Sequence, residues 1–421
     1  MGENRWVPRS SSPSDTRKFA VLRNRQSGPY VVFAGMSMMG DNVEHVLSYW
    51  VLWETFHSPA LVGFQLLSHW TPFLLLSVYA GALAERFDCR RLIQIAQAMF
   101  ITVSLAWGVL FATGTLTLWA ACVLLVVHGL AGCLWAPAEQ MMLYDFAGPA
   151  TLPSAVRINA TFRSLGVLFG PVIGSLLLVT LGPALGIFVN VAFYLPMTLF
   201  LFRTPYTGHV RSQVRRTRVG VLDSFRVLGT VRNHREILTV LVLAALASIT
   251  VGTVLQNAMP VFGNLLAGAT EPDFMYGSLL FALGAGAVLG GFALEVTGWV
   301  RADLRAVVVA TGTLGAFAAA FSLTRSTPVA LAALFFAGIS QITAESAGMS
   351  IVQLKAPEDQ RGRVIGSYSM FGPGMRSFSG VTVGVLGSFM GIPTTVLVGG
   401  ISLVAATVLT IAIIRPEVRQ N

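Results

Sequence analysis

Three ionisable side chains, Asp41, Glu44 and His45, fall within five residues of an otherwise apolar stretch, GDNVEHVLSYW at residues 40–50. Asp41, Glu44, His45 and Ser48 follow i, i+3, i+4, i+7 spacing, which on a helix places them on one face. Carboxylates beside an imidazole can take up, hold and release a proton. Burial and mutual pairing act on such groups in opposite senses, so their protonation should follow water and ligand. The expectation is that Asp41, then Glu44, exchanges the proton, with His45 tuning both. The alternative is an Asp–His or Glu–His pair that only fixes helix packing.

Other polar side chains punctuate apolar stretches. His69 follows Gln65 by four residues and could join the first group or make an interhelical hydrogen bond, and His128 titrates near neutrality. Arg376, in GPGMRSFSG, needs an anion, supplied by Glu345, by Asp41 or by a substrate. Arg163, in NATFRSLG, reads as its counterpart in the first half, since both are Arg-Ser-x-small. A charge at the middle of a bilayer costs at least about 2.5–3.5 kcal/mol, so each of these calls for a cavity or a partner.

The elements that must hold these groups are membrane helices. Apolar residues make up 54% of the 421 and charged residues 11%, less than half the share usual in soluble domains. Twelve segments have the roughly 20 apolar residues a spanning helix needs: 30–53, 59–82, 92–112, 116–138, 159–181, 184–202, 237–262, 274–297, 304–323, 327–350, 364–389 and 393–414. With both termini inside, 25 of the 28 Lys and Arg residues lie in the N-terminal tail, the inner loops and the C-terminus, two (Arg163 and Arg376) lie within segments, and only Arg325 faces outward. That topology accounts for the net charge of +9 without a nucleic-acid partner.

The stretch 204–236 divides the segments into six and six. The expected organisation is a disordered basic cytoplasmic tail at 1–29, a six-helix bundle at 30–203, a cytoplasmic linker at 204–236, a second bundle at 237–415 and a short tail at 416–421. The tail lacks the pattern of a cleavable signal peptide. The halves repeat: Gly81 and Glu85 match Gly291 and Glu295 at an offset of 210, and Pro149 and Val156 match Pro357 and Val364 at 208.

Three cysteines support neither a disulfide framework nor a metal site, the six histidines are scattered along the chain, and no nucleotide-binding P-loop occurs. No metal and no cofactor are therefore expected, and the energy source would be a proton gradient. No nucleophile–base pair suggests an enzyme.

The motifs resemble those of the major facilitator superfamily over about residues 30–415. GALAERFDCRRL (81–92) is similar to its motif A, with Gly81, Glu85, Arg86, Arg90 and Arg91 as the gating set and Glu85 in place of the usual Asp. GVLFGPVIG (166–174), with Gly166, Gly170, Pro171 and Gly174, is similar to motif C of proton-driven antiporters, and His128 stands where motif B of drug antiporters carries Arg. The resemblance, closest in look to the enterobactin-exporter and macrolide-efflux branch, implies an all-α membrane fold of two six-helix bundles around a central cavity. It also implies export of a drug-like compound or siderophore by proton antiport, with Glu85 against a helix N-terminus as a latch. A monomer in a bacterial inner membrane is expected, contacting lipid, protons and a small-molecule substrate. An uptake symporter is the alternative, and a membrane enzyme a remote one.

Overall fold

The computed structural model describes residues 18–210, 220–267, 272–298, 300–379 and 382–418. Helices begin where short polar side chains can cap them. Ser58, Asp88, Thr117 and Asp303 each accept a backbone N–H from the first turn of the helix that follows. The helices are α1 (Ser27–Phe56), α2 (Pro59–Arg86), α3 (Cys89–Thr113), α4 (Leu118–Ala147), α5 (Leu152–Asn190), α6 (Leu195–Arg203), α7 (Arg235–Ala247) and α8 (Thr253–Leu266). They continue as α9 (Pro272–Thr297), α10 (Leu304–Leu323), α11 (Thr327–Lys355), α12 (Arg361–Phe371), α13 (Gly387–Met390) and α14 (Ile392–Val418). Every expected apolar segment falls mainly on helix, and the chain is a nearly all-helical membrane protein.

Among the described residues nine stretches are long and apolar enough to cross a membrane. One of them, Leu152–Arg203, has 52 residues, enough for two passages. It breaks at Gly182, whose φ of 74° suits glycine, with Pro183 next. The first and eleventh expected segments fall outside the nine. In α1 the polar run Asp41–Asn42 and Glu44–His45 lowers the hydropathy, and the eleventh segment is interrupted between Phe371 and Gly387 by a 3₁₀ turn (Pro373–Phe378) and a π turn (Thr382–Leu386).

The expected disordered tail at 1–29 lies outside the described residues up to position 17. From 18 onward it is ordered. Ala20–Arg23 is helical, Val21 is buried, and Ser27 Oγ donates to the Val21 carbonyl at 2.7 Å. The apolar run Phe19–Leu22 explains this, since it packs on the core. The linker 204–236 holds helices Val221–Ser224 and Val227–Asn233; its residues 211–219, and 419–421 of the second tail, lie outside the described residues.

Small residues set the packing. Gly166, Gly170 and Gly174 of α5 let α1 approach, with Gly35, Met38 and Met39, then Asn42, then Val43 and Val46 against them in turn. Across the halves α2 packs on α12, and α5 packs on α9 and α11.

The core is divided unevenly. One large cluster runs through both halves at the end carrying the basic loops, including Tyr30, Phe100, Trp135, Leu143, Val240, Val308, Ile351 and Val364. Toward the opposite end each half has its own core, one around Val43, Leu52 and Trp107, the other around Phe262, Leu279 and Phe321. The halves are therefore fused at one end and separate at the other.

Candidate functional site

Asp41 sits near the middle of the 30-residue α1. His128 of α4 is wedged between the two acids of α1, with Nε2 2.8 Å from Asp41 Oδ1 and Nδ1 2.8 Å from Glu44 Oε1. Ser104 of α3 donates to Glu44 Oε2. His45 Nδ1 lies 3.7 Å from Asp41 Oδ2. His69 of α2 completes the group, its ring 4.9 Å from that of His45 and 5.5 Å from that of His128. Ser48 does not join, because its hydroxyl donates to the Glu44 carbonyl of its own helix.

Accessibility is graded across this cluster. The side chains of Glu44 and His128 are 2% and 5% exposed, Asp41 11% and His45 22%. With carboxylate oxygens on both ring nitrogens of His128, either the ring carries two protons or one proton sits on a carboxyl group. Two protonation states therefore differ by a short displacement within one hydrogen-bonded chain, Asp41–His128–Glu44–Ser104. Phe100 packs edge-on to His128 and stacks on Tyr194, closing the apolar side.

Arg376 donates to Glu345 at 3.3 Å and lies over the Trp70 ring, its guanidinium carbon 4.9 Å from the centroid. Of the three anions considered for it, the protein supplies Glu345, whose side chain remains 45% exposed. Arg163 repeats this chemistry, donating to Glu139 at 2.6 Å and lying 4.9 Å over Trp135. Glu139 is buried, also accepts from Asn159 at 2.9 Å, and its carbonyl accepts from the Tyr30 hydroxyl.

Two acids bridge the halves at the fused end. Glu85, at the end of α2, accepts the Arg363 backbone N–H at 2.7 Å and its Nε at 2.8 Å, at the N-terminus of α12. Gly81 and Gly362 meet backbone to backbone beside it, leaving no room for a Cβ. Glu295, at the end of α9, accepts from Arg157 Nη1 at 3.1 Å near the start of α5, and also from Ser154 and the Phe19 N–H. The other basic residues of the gating set serve local ends: Arg90 binds Asp88 and the Thr204 carbonyl, Arg91 binds Gln94, and Arg86 lies over Phe87.

A family model described as transmembrane secretion effector matches residues 18–421. The chain belongs to this family of major facilitator superfamily transporters. The transporter is 23% identical over 412 residues to the multidrug efflux pump Tap of Mycolicibacterium fortuitum, covering 95% of this chain and 98% of that one. It is 22% identical over 175 residues to the staphyloferrin A transporter of Staphylococcus aureus, a match spanning 40% of this chain and only 44% of that relative. Its fold superposes on that of FucP, the E. coli fucose:proton symporter, in the outward conformation, with a TM-score of 0.73 at 11% identity over 90% of this chain and 97% of that one. Family and fold are those of multi-pass membrane transporters, not of enzymes.

The transporter's structure corrects several expectations about individual residues. His128 bridges both acids of α1, so the partner of Asp41 at hydrogen-bond distance is His128 and not His45. The histidines, scattered in sequence, converge: three of the six meet at Asp41. Arg157 and Arg363, 206 residues apart, meet equivalent acids, and the same spacing relates Glu139 to Glu345, while the helix that ends and the helix that begins between them are offset by 208 and 209. At none of these offsets are Arg163 and Arg376 equivalent positions, although both pair with equivalent acids. Ser104 and Glu139 were missed. The fourth apolar segment ends at 138 by hydropathy, which put Glu139 in a loop, whereas α4 continues to Ala147; a lone Ser in an apolar helix gives no signal at all.

Proposed function

We propose that this transporter exports a small organic molecule, drug-like or siderophore-like, in exchange for protons. The observation that carries this reading is the buried Asp41–His128–Glu44 chain at the middle of α1, an arrangement with a proton to gain or lose at a depth where an uncompensated charge is costly. Asp41 and His45 form the accessible edge of the cluster, and Glu44 with Ser104 its sealed end.

The fused end is the cytoplasmic one in this reading, because the basic loops gather there, so both termini are cytoplasmic and the described state opens outward. A proton entering from outside neutralises Asp41 and loosens its hold on His128. The latches Glu85–Arg363 and Glu295–Arg157 then part as the halves rock about the midplane. Arg376 with Glu345, and Arg163 with Glu139, place both signs of charge beside aromatic rings, which favours a zwitterionic or amphiphilic cargo. Export is supported by the Gly166–Gly174 motif and by the relatedness to an efflux pump. The protein acts as a monomer in a bacterial plasma membrane.

The test compares drug susceptibility and secreted siderophore in a deletion strain carrying wild type, Asp41→Asn or empty vector. The expected result is a phenotype on deletion that wild type restores and Asp41→Asn does not, and that an uncoupler abolishes. Export that continues unchanged after the proton gradient collapses would refute antiport, and proton-driven accumulation of the same compound would make the protein a symporter.

A further inference from the structure

We infer that Asp41, His45, His69 and His128 bind one first-row transition-metal dication of the Zn²⁺, Co²⁺ or Ni²⁺ class. Each residue offers one ligand atom, and the four atoms all lie within 4.8 Å of one another. Zinc to imidazole or carboxylate distances of about 2.0–2.2 Å place the donors of a tetrahedral site about 3.4 Å apart. The cluster already brackets that spacing, with 2.8 Å between His128 Nε2 and Asp41 Oδ1 and 3.7 Å between His45 Nδ1 and Asp41 Oδ2. Side-chain rotation of the order of 1 Å closes it.

Three imidazoles and one carboxylate suit zinc, cobalt and nickel, whereas magnesium and calcium prefer all-oxygen shells. Asp41 and His45 stand one turn apart on α1, while His69 and His128 come from α2 and α4, so three helices converge on one point. A second observation is independent of the donor count: His69 Nδ1 is buried with no hydrogen-bond partner. An orphaned imidazole nitrogen inside a membrane helix bundle is costly, and a metal ion held through Nδ1 would satisfy it.

The surroundings also fit. With His128 Nε2 directed at the metal, Nδ1 faces Glu44 Oε1 at 2.8 Å, the carboxylate–histidine–metal arrangement that fixes tautomer and ring orientation. Ser104 in turn anchors Glu44. Asp41 and Glu44 together carry two negative charges, which a dication neutralises. Arg376, which reaches toward this region across Trp70, has Glu345 as its own counter-charge.

The test is a titration of the full-length purified transporter, affinity tag removed, with CoCl₂, followed by ZnCl₂. The expected result is one Co²⁺ per chain, with the intense visible d–d bands of a four-coordinate nitrogen and oxygen site, lost on adding equimolar Zn²⁺. X-ray absorption on the wild-type zinc form should give three imidazoles and one oxygen, a readout that needs no variant. His45→Gln and His69→Gln should each weaken binding at least tenfold, Glu44→Gln by about 10- to 100-fold through its loss as outer-shell partner, and His234→Gln not at all. Absence of stoichiometric binding, binding that survives the His45→Gln/His69→Gln double variant, or an oxygen-only shell would each overturn the assignment. Protons and the metal compete for Asp41 and His128, so the ion occupies the cluster only when those ligands are deprotonated; the titration reads no transport, so its failure leaves the export proposal standing, and failure of export leaves the metal site standing.

Discussion

The two halves of this transporter share their hinges and differ in their middles. Glu85 meets Arg363 and Glu295 meets Arg157, each acid crossing from one half to the start of a helix in the other. At the repeat offset of 210, the places of Asp41, Glu44, His45 and His69 are taken by Val251, Val254, Leu255 and Leu279. All four belong to the apolar core of the second half. A polar relay and a hydrophobic core thus occupy equivalent volumes. Under the antiport proposed above, rocking of the halves needs an interlock on both sides of the pseudo-two-fold axis, whereas a proton needs to be carried only once per cycle. In that proposal the second half can fill its middle with leucine and valine, at about 25 cal/mol per Å² of apolar surface buried, and serve as the stiff partner of the half that carries the polar cluster.

Breaking the polar middle should have the largest effect. Glu44→Gln removes a charge that holds both His128 and Ser104, and export measured as restored resistance in the deletion strain should fall at least tenfold while expression persists. The reciprocal change in the second half, Leu279→His, buries an imidazole where no partner waits. It should lower stability by roughly 2–3 kcal/mol, read as an earlier thermal transition in detergent with no gain of proton coupling. Glu139→Gln leaves Arg163 beside a neutral partner and, for a pair this buried on one side, should cost up to about 3 kcal/mol by the same measurement. A single latch acid should matter less. Glu85→Ala and Glu295→Ala should each slow export about three- to tenfold, the worth of about one ordinary net hydrogen bond, because these contacts are made in only part of the cycle. Their expression should stay near wild type. Unequal effects of the two would break the symmetry claimed for the hinges. Glu345→Gln should be mildest, because that side chain is half exposed: a shift of about twofold in apparent KM with coupling intact.

Sequence conveyed these features unevenly. Helices were legible because hydropathy is summed over about 20 residues, so single errors average out. The two acids that bridge the halves were legible because both halves carry the same short motif, and Glu85, Gly81, Glu295 and Gly291 announce each other. The polar cluster was only half legible. The i, i+3, i+4 spacing joined Asp41, Glu44 and His45, but His128 and His69 reach them through tertiary packing of α4 and α2, which no local pattern encodes. Glu139 was hidden by a polar end to an apolar helix, whereas the break at Gly182 was legible, since the fifth apolar segment ends at 181 and the sixth resumes at 184 around Gly182 and Pro183.

Everted membrane vesicles with an imposed pH gradient, acid inside, offer the most direct test of proton coupling through Asp41. A radiolabelled compound to which the deletion strain is hypersensitive serves as probe, and wild type and Asp41→Asn are compared for gradient-driven uptake and for counterflow without a gradient. The expected outcome is that Asp41→Asn retains counterflow and loses gradient-driven uptake, since its halves still rock but carry no proton. Gradient-driven uptake by Asp41→Asn at the wild-type rate would contradict the assignment of proton transport to this cluster.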